Sequence, residues 1–310
     1  MNSYKYKDGV ITVYSNTGVK DYCNHNGISL SDFNESVVID ASVTDCSYMF
    51  ITCKSFNQHV VLPLGVTDCS HMFWGCESFN QPVVLPKGVI NCLNMFWDCK
   101  LFNQPIDIPE GVENCKGMFM GCTSYNQPTS ITHGVIDCSN MFQGCKVFNQ
   151  PLIIPDSVKY CNKMLAMCKQ FNQPVLLSGS VVDCSEMFWG CSLYNQPLII
   201  PAGVKNCSDM FFQCKVFNQP VVINNTVINC SGMFSSCVIF NQRVNIPEGV
   251  VNCTNIFSGC RNLRQTITLP TSVTDCIGAF GGCPGDFNET TRTFIPRLER
   301  NSDHKETSLF

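Results

Sequence analysis

Charged side chains are scarce in this chain of 310 residues: they make up 14% of it, and the formal net charge is -4. A surface that binds nucleic acid or an anionic membrane needs a concentration of lysine and arginine. Here 20 basic residues are outnumbered by 24 acidic ones. The composition therefore argues against both nucleic acid and membrane surfaces as partners.

Long hydrophobic runs are also missing. No stretch of about 18 consecutive apolar residues occurs, so no membrane-spanning helix is predicted. The segment from Met1 to Lys7 lacks the apolar core of a secretory signal peptide. The sequence therefore predicts a soluble protein inside the cell, without membrane insertion.

Motifs of catalysis and metal binding are absent as well. The five histidines fall at unrelated positions, and no Cys-x-x-Cys pair occurs. Metal sites need convergent ligands, and nucleophilic catalysis needs a nucleophile next to a base. We therefore expect no catalytic, cofactor-binding or metal-binding residues, and a protein that is not an enzyme.

Cysteine, in contrast, is abundant and strictly periodic. Pairs of cysteines seven positions apart recur every 23 residues, eleven times, from Cys46 and Cys53 to Cys276 and Cys283. A fixed period of this length is typical of a stack of identical units. We predict one solenoid over residues 23–285, made of eleven 23-residue repeats (rungs) after a degenerate first rung. Residues 1–22 are expected to form an N-terminal cap with a hairpin, and residues 286–310 a polar C-terminal tail that is disordered from about Glu289.

Each rung carries two hydrophobic patterns. A short run such as Val83-Val84-Leu85 or Ile106-Asp107-Ile108 keeps apolar residues at its outer positions and varies in the middle, as a strand with one buried face does. The segment Cys-x-x-Met-Phe-x-x-Cys has apolar residues at i, i+3, i+4 and i+7, the spacing of a two-turn helix. The two patterns predict an α/β repeat solenoid with short parallel strands on one face and short helices on the other.

Two polar columns accompany these patterns. An asparagine follows the closing Phe or Tyr of nearly every rung, and we expect a ladder of buried amides there. The residue before the first cysteine is usually Asp or Asn, as in Asp45, Asp68, Asn91 and Asp137, and is interpreted as a helix N-cap.

The role of the cysteines has three explanations at this stage. They are reduced thiols that fill the core, they form disulfides, or they bind metal. The ends of a two-turn helix are about 10.5 Å apart, too far for a disulfide within one rung. Packed helices lie about 8–10 Å apart, which argues against bridges between rungs. The first explanation is favoured, and it fits a reducing compartment.

The motif Val43-Thr44-Asp45-Cys46-Ser47-Tyr48-Met49-Phe50, followed by Phe56-Asn57-Gln58, resembles the BspA-like (treponemal-type) leucine-rich repeat family. It is most similar to the FNQ-bearing branch first catalogued as mycoplasma surface proteins of unknown function. The resemblance covers residues 23–285 and implies a right-handed leucine-rich-repeat coil with a role in surface recognition. Family members at cell surfaces carry export signals, and similar cysteine-rich proteins occur in large DNA viruses of protists. The resemblance is therefore also compatible with an intracellular viral setting, in cytoplasm or virion.

Function is expected on the outer surface of the solenoid. Four consecutive rungs carry a large apolar residue at the middle strand position, and a second stripe of aromatic residues follows the Met-Phe pair. The predicted protein-binding residues are Ile153, Leu176, Ile199 and Val222 in the first set, and Trp74 and Trp97 in the second. One hypothesis is a protein partner of unknown identity that binds there. The alternative is a structural protein that self-associates, as in a viral particle.

Overall fold

The computed structural model describes residues 2–297, and the repeats in it stack as a solenoid. Its regular elements are few and short. They are β1 (Tyr4–Lys7), β2 (Val10–Val13), α1 (Gly18–Asn26), a 3₁₀ turn (Leu30–Asp32), β3 (Val37–Ile39), β4 (Leu152–Ile153), β5 (Val175–Leu176), β6 (Ile267–Thr268), β7 (Gly285–Asn288) and β8 (Thr293–Pro296).

The core is one continuous column that runs through all the rungs. Most rungs contribute a valine, two cysteines, a Met-Phe pair and a closing aromatic residue, and nearly all of these side chains are fully buried. The aromatic rings stack between rungs, with centroids 5.4 Å apart for Phe50 and Phe73 and 5.9 Å apart for Phe56 and Phe79. Because each ring packs against its equivalents before and after it, the hydrophobic stabilisation grows with the number of rungs.

The helix predicted for the Cys-x6-Cys segment is wrong. In the first full rung, which contains Cys46 and Cys53, Tyr48 and Thr52 have φ values of 59° and 58°, which an α-helix does not allow. The N–H groups of Tyr48 and Phe50 donate to carbonyls of the next rung, at 3.0 and 2.9 Å, while the Met49 N–H donates to the carbonyl three residues earlier. The segment is therefore a flat ribbon of tight turns, and we call it the turn ribbon.

The physical reason lies in the backbone hydrogen bonds. A helix of eight residues leaves its first four N–H groups and its last four carbonyls without partners. The turn ribbon instead gives every second N–H group a carbonyl on the neighbouring rung, a pattern that repeats from Cys46 N–H to the carbonyl of Asp68 through to Gly259 N–H and the carbonyl of Gly281. Stacking thus satisfies groups that a short helix would leave open.

The short strand runs of successive rungs, such as Val83-Val84-Leu85, form a column that we call the strand column. Its burial is as predicted, but most of its runs do not form the predicted parallel ladder. Outer residues such as Val83 and Leu85 are buried and the middle residue is exposed. Within residues 2–297, two adjacent rungs form a parallel ladder here, β4 with β5. Prolines on both sides of the run lack the N–H that a longer ladder would use. Ten isolated parallel bridges instead join the residues before the first cysteine, from Asp45–Asp68 to Asn252–Asp275.

At the N-terminus, β1 and β2 form an antiparallel hairpin, and β2 pairs in parallel with β3. Helix α1 follows the hairpin and buries Val19 and Cys23 against the first rungs. The hairpin and α1 together cover the first end of the solenoid.

At the C-terminus, the predicted tail contains structure. Strands β7 and β8 form an antiparallel hairpin, and β8 also pairs with β6 in the last rung. Phe294 is fully buried and stacks on Phe280 with centroids 4.7 Å apart. The prediction of disorder from about Glu289 was wrong as far as residue 297, because the Phe294 side chain anchors the hairpin on the last rung. The remainder of the predicted tail lies outside the described residues.

Candidate functional site

The four predicted residues of the strand column form one exposed row. The exposed fractions are 70% for Ile153, 61% for Leu176, 82% for Ile199 and 72% for Val222. The residues immediately before and after each of them are buried. We call this row the apolar patch. Since parallel neighbours lie about 4.8 Å apart, the row is roughly 15 Å long.

A shallow groove of about 620 Å³ runs along the apolar patch. An exposed proline precedes the strand in each of these rungs and forms one side of the groove. The groove is lined by Pro151, Leu152, Ile153, Pro174, Val175, Leu176, Leu177, Pro197, Leu198, Ile199, Pro220 and Val222. These lining residues carry no charge, so water is the main competitor for any apolar ligand.

The apolar patch has sharp polar boundaries along the stack. Asp107 and Ser130 occupy the same column in the two preceding rungs, and Asn245 and Thr268 occupy it in the two that follow. Before Asp107 the column is again apolar and exposed, at Val38, Val61 and Val84, with Leu64 beside it. Sequence reasoning did not select Leu64, because the turn that contains it gives no apolar pattern.

Trp74 and Trp97 lie on the turn ribbon rather than on the strand column. Their rings are half-buried and stack in parallel, with centroids 4.4 Å apart. His71 lies against Trp74 at 5.6 Å and stacks on Tyr48 at 4.5 Å. The two predicted sets of residues therefore occupy different segments of the rung and do not share a site.

His71 has no catalytic surroundings. Its Nε2 lies 3.1 Å from the amide nitrogen of Asn94, and its buried Nδ1 has no hydrogen-bond partner. Burial lowers the pKa of the imidazole, although the carboxylate of Asp68 opposes this change. The ring is held by stacking between Tyr48 and Trp74, an arrangement that contributes to packing.

The cysteines are all free thiols. In the second cysteine column the S–H donates to a carbonyl of the preceding rung, as from Cys76 to Phe50 and from Cys99 to Phe73, each at 3.0 Å. Cysteine at this position is therefore a small apolar residue and also a hydrogen-bond donor. No group of His, Cys, Asp and Glu within residues 2–297 could hold a metal ion.

Burial raises the pKa of nearly every thiol, to about 12 for Cys46 and Cys53. Desolvation is the main cause, because a thiolate in an apolar core loses its hydration. While they stay covered by the core, thiols of this kind are poor nucleophiles and poor metal ligands at neutral pH.

The two polar columns satisfy backbone groups. The asparagine ladder is confirmed: the N–H of Asn57 donates to Oδ1 of Asn34 at 2.9 Å, and the pattern repeats up to Arg264, whose N–H donates to Oδ1 of Asn241 at 2.7 Å. The Asp/Asn column does accept from backbone N–H groups, but without a helix. Asp45 Oδ1 accepts from the N–H two residues later, at 2.8 Å, as in an Asx turn.

The repeat matches a known family over most of its length. The model of the family described as "Mycoplasma protein of unknown function, DUF285" matches residues 32–131, 64–154, 130–201 and 178–271. The chain belongs to this family. The resemblance inferred from its repeat motif is thereby confirmed.

Among solved structures, the chain is similar to a leucine-rich repeat protein from Bacteroides ovatus, with a TM-score of 0.59, 15% identity and 90% of each chain covered. It also matches a leucine-rich cell surface protein from Faecalibacterium prausnitzii, with a TM-score of 0.49 and 18% identity over 88% of this chain and 82% of that one. The first likeness establishes a leucine-rich-repeat fold for this member of the DUF285 family. No curated protein sequence matches the chain significantly.

In the part of the chain that the structure describes, no helix has the length and apolar character needed to cross a membrane.

Proposed function

We propose that this protein is a non-enzymatic binding module that holds another protein through the apolar patch. The observation that carries the proposal is the exposure of four large apolar side chains in consecutive rungs. From their exposed fractions they present roughly 500 Å² of surface, near the upper end for the largest patch of an ordinary monomer. The leucine-rich-repeat fold supports this role, since solenoids offer extended surfaces for recognition.

The central residue of the apolar patch is the best point to test the proposal. In Leu176→Asp a carboxylate would have to lose its hydration when a partner covers the groove, at a cost of several kcal/mol. We therefore expect affinity to fall by at least about 100-fold. Thermal stability should stay close to that of the wild type, because Leu176 is 61% exposed.

The matched control is Asn245→Asp, which places the same charge in the same strand column beyond the patch. Wild type and this control should capture the same protein from a lysate, and Leu176→Asp should not. Equal capture by all three proteins would rule out the apolar patch as the binding surface. A parallel loss of capture and stability in Leu176→Asp would show that the change acts on folding instead.

Self-association is the second candidate for the same surface. The groove has no charged side chains that would repel a second copy. In a particle, each copy would contact a neighbouring copy through this same surface. Sedimentation velocity at increasing concentration distinguishes the two. A concentration-dependent dimer that Leu176→Asp abolishes supports assembly, whereas a monomer at high concentration contradicts it.

For Trp74 and Trp97 the half-buried stack favours packing between rungs, with their exposed edges available to a partner. We propose them as a secondary contact surface. Trp97→Ala should then weaken capture as well as stability, whereas a residue that serves packing alone would change stability only.

We propose a reducing compartment for this protein, either the cytoplasm or a virion. The support is the set of buried, free thiols. A thiol reagent should label few cysteines in the native protein and nearly all of them after unfolding. Failure to label them even in denaturant would contradict the proposal.

A further inference from the structure

In three rungs the first cysteine contacts a methionine of the following rung. The Sγ of Cys207 lies 3.8 Å from the sulfur of Met233, and Cys138 and Cys184 make the same contact with Met164 and Met210, at 3.7 and 4.0 Å. In each case the thioether belongs to the Met-Phe pair of the next rung. A weak S–H donor and a polarisable sulfur acceptor suit each other in an apolar core.

Cys230 departs from this arrangement because the next rung lacks the methionine. Ile256 stands at that position and offers no sulfur acceptor, although the carbonyl of Asn252 lies 3.6 Å from the Cys230 Sγ. The Sγ of Cys230 also lies 3.6 Å from the Sγ of Cys253. Among the described residues, this is the one pair of thiols within hydrogen-bonding distance of each other.

The backbone around this pair already has a spacing that a disulfide can span. Asn229 and Asn252 form a parallel bridge, and the N–H of Cys230 donates to the carbonyl of Asn252 at 3.1 Å. Parallel neighbours lie about 4.8 Å apart, and disulfides join Cα atoms that are about 4.4–6.8 Å apart. The sequence-based argument against bridges between rungs assumed packed helices, and it fails for rungs that stack this closely.

We propose that Cys230 and Cys253 are an oxidation site, at which a small peroxide converts the two thiols into a disulfide between adjacent rungs. One sulfur attacks the peroxide, so that an S–O bond forms, the O–O bond breaks and water leaves, giving a sulfenic acid. The second sulfur then attacks the first. The S–S bond forms, the S–O bond breaks and a second water leaves. Hydrogen peroxide is the two-electron oxidant, and both thiol protons end in water.

Access to the pair comes from the C-terminal end of the solenoid. Cys253 lies in the tenth of eleven rungs, next to the last rung, where Cys276 and Cys283 are partly exposed. Solenoid ends open locally at lower cost than central rungs, because they have a full rung on one side and here only the short C-terminal hairpin on the other. Local opening there admits a small neutral oxidant while the central thiols stay covered.

The test uses the full chain, reduced and then exposed to hydrogen peroxide under native conditions. The remaining thiols are alkylated in denaturant, and the protein is digested with trypsin. Cleavage after Arg243 separates Cys230 from Cys253, so a bridge appears as two joined peptides with a mass about 2 Da below their sum. Fragmentation then assigns the bridge among the cysteines of those peptides.

A pair of exchanged residues provides the matched control. Ile256→Met restores the thioether and should lower the yield of the Cys230–Cys253 bridge several-fold. Met233→Ile removes the thioether that faces Cys207 and should raise bridging between Cys207 and Cys230. Both changes conserve apolar volume approximately, and thermal melts verify that each variant is folded.

In the wild type, Cys230–Cys253 should be the first bridge to form and several times more abundant than any other. Equal bridging of all neighbouring rungs would overturn the proposal. So would bridging that is unaffected by Ile256→Met, or a native protein in which this pair stays reduced while Cys276 and Cys283 oxidise.

Discussion

Mild alkali should unfold this protein at a pH that most folded proteins tolerate. About 20 of its thiols have pKa values raised by burial, among them Cys23 to about 11 and Cys46 to about 12. In the unfolded chain each thiol titrates near the ordinary value of about 8.5. A group whose pKa is raised by folding stabilises the native state fully below its unfolded pKa, and this contribution is lost as the pH rises toward the folded pKa.

The size of the loss follows from the unfolded pKa alone, provided the folded pKa lies far above the working pH. Each thiol then removes about 0.4 kcal/mol of unfolding free energy at pH 8.5 and about 0.8 kcal/mol at pH 9. Summed over about 20 thiols, the loss of unfolding free energy is about 8 kcal/mol at pH 8.5 and about 16 kcal/mol at pH 9. Ordinary domains are stable by about 5–15 kcal/mol, so the transition should fall between about pH 8.5 and 9.5.

Far-ultraviolet circular dichroism and tryptophan fluorescence, recorded as the pH rises in the presence of a reductant, measure this transition. Thiolate absorbance should increase together with unfolding rather than before it. Tyrosine and lysine titrate near pH 10 and above, so they do not account for an earlier transition. Cys99→Ala removes a fully buried thiol and should lower the number of protons released on unfolding by about one.

A melting temperature that stays constant up to about pH 9.5 would refute the reasoning. It would mean that the cysteines are not free thiols, or that they are already ionised in the folded protein. Chemical counting of thiols in denaturant separates these two explanations.

Three further changes test the packing of the rungs by thermal or denaturant unfolding. Asn126→Ala leaves the N–H of Asn149 without its acceptor and should cost about 1–3 kcal/mol, whereas Asn126→Asp keeps the oxygen and should cost less. Gly121→Ala should lower the free energy of unfolding more than Gly144→Ala does. Both residues have positive φ, which costs about 1–2 kcal/mol once a methyl group is added. The added carbon at Gly121 also meets a carboxylate oxygen of Asp98 in the preceding rung. Phe294→Ala should cost about 3–5 kcal/mol by emptying the site beneath the C-terminal hairpin, and an unchanged midpoint would show that this hairpin does not cap the solenoid.

The periodicity of the sequence was enough to predict the solenoid, its buried columns and the asparagine ladder. A strict repeat places each residue next to its equivalent, so burial and neighbours in one rung apply to all. The local backbone of the turn ribbon could not be predicted from hydrophobic spacing. Apolar residues at i, i+3, i+4 and i+7 face one side in a helix, and they also face one side in this series of turns.

A second signal in the sequence favoured the turns. Glycine recurs two and six residues after the first cysteine, as in Gly117 and Gly121, and both of these residues have positive φ. Two glycines in eight residues disfavour a helix by about 2 kcal/mol relative to alanine. Where a rung has Tyr48 or Thr52 in place of glycine, the strain is offset by hydrogen bonds between rungs. The C-terminal hairpin gave no comparable signal, because it depends on a single buried aromatic side chain, Phe294, in a polar segment.

The apolar patch is not explained by the requirements of folding. The same backbone, in the same column, carries Asp107, Ser130, Asn245 and Thr268 in other rungs, so the position accepts polar side chains. An exposed isoleucine or leucine there adds little to the core and raises the tendency to aggregate. Strand propensity would act on every rung alike, so it does not account for four of them in consecutive rungs with polar residues on both sides, and this supports our proposal of a partner that covers about four rungs.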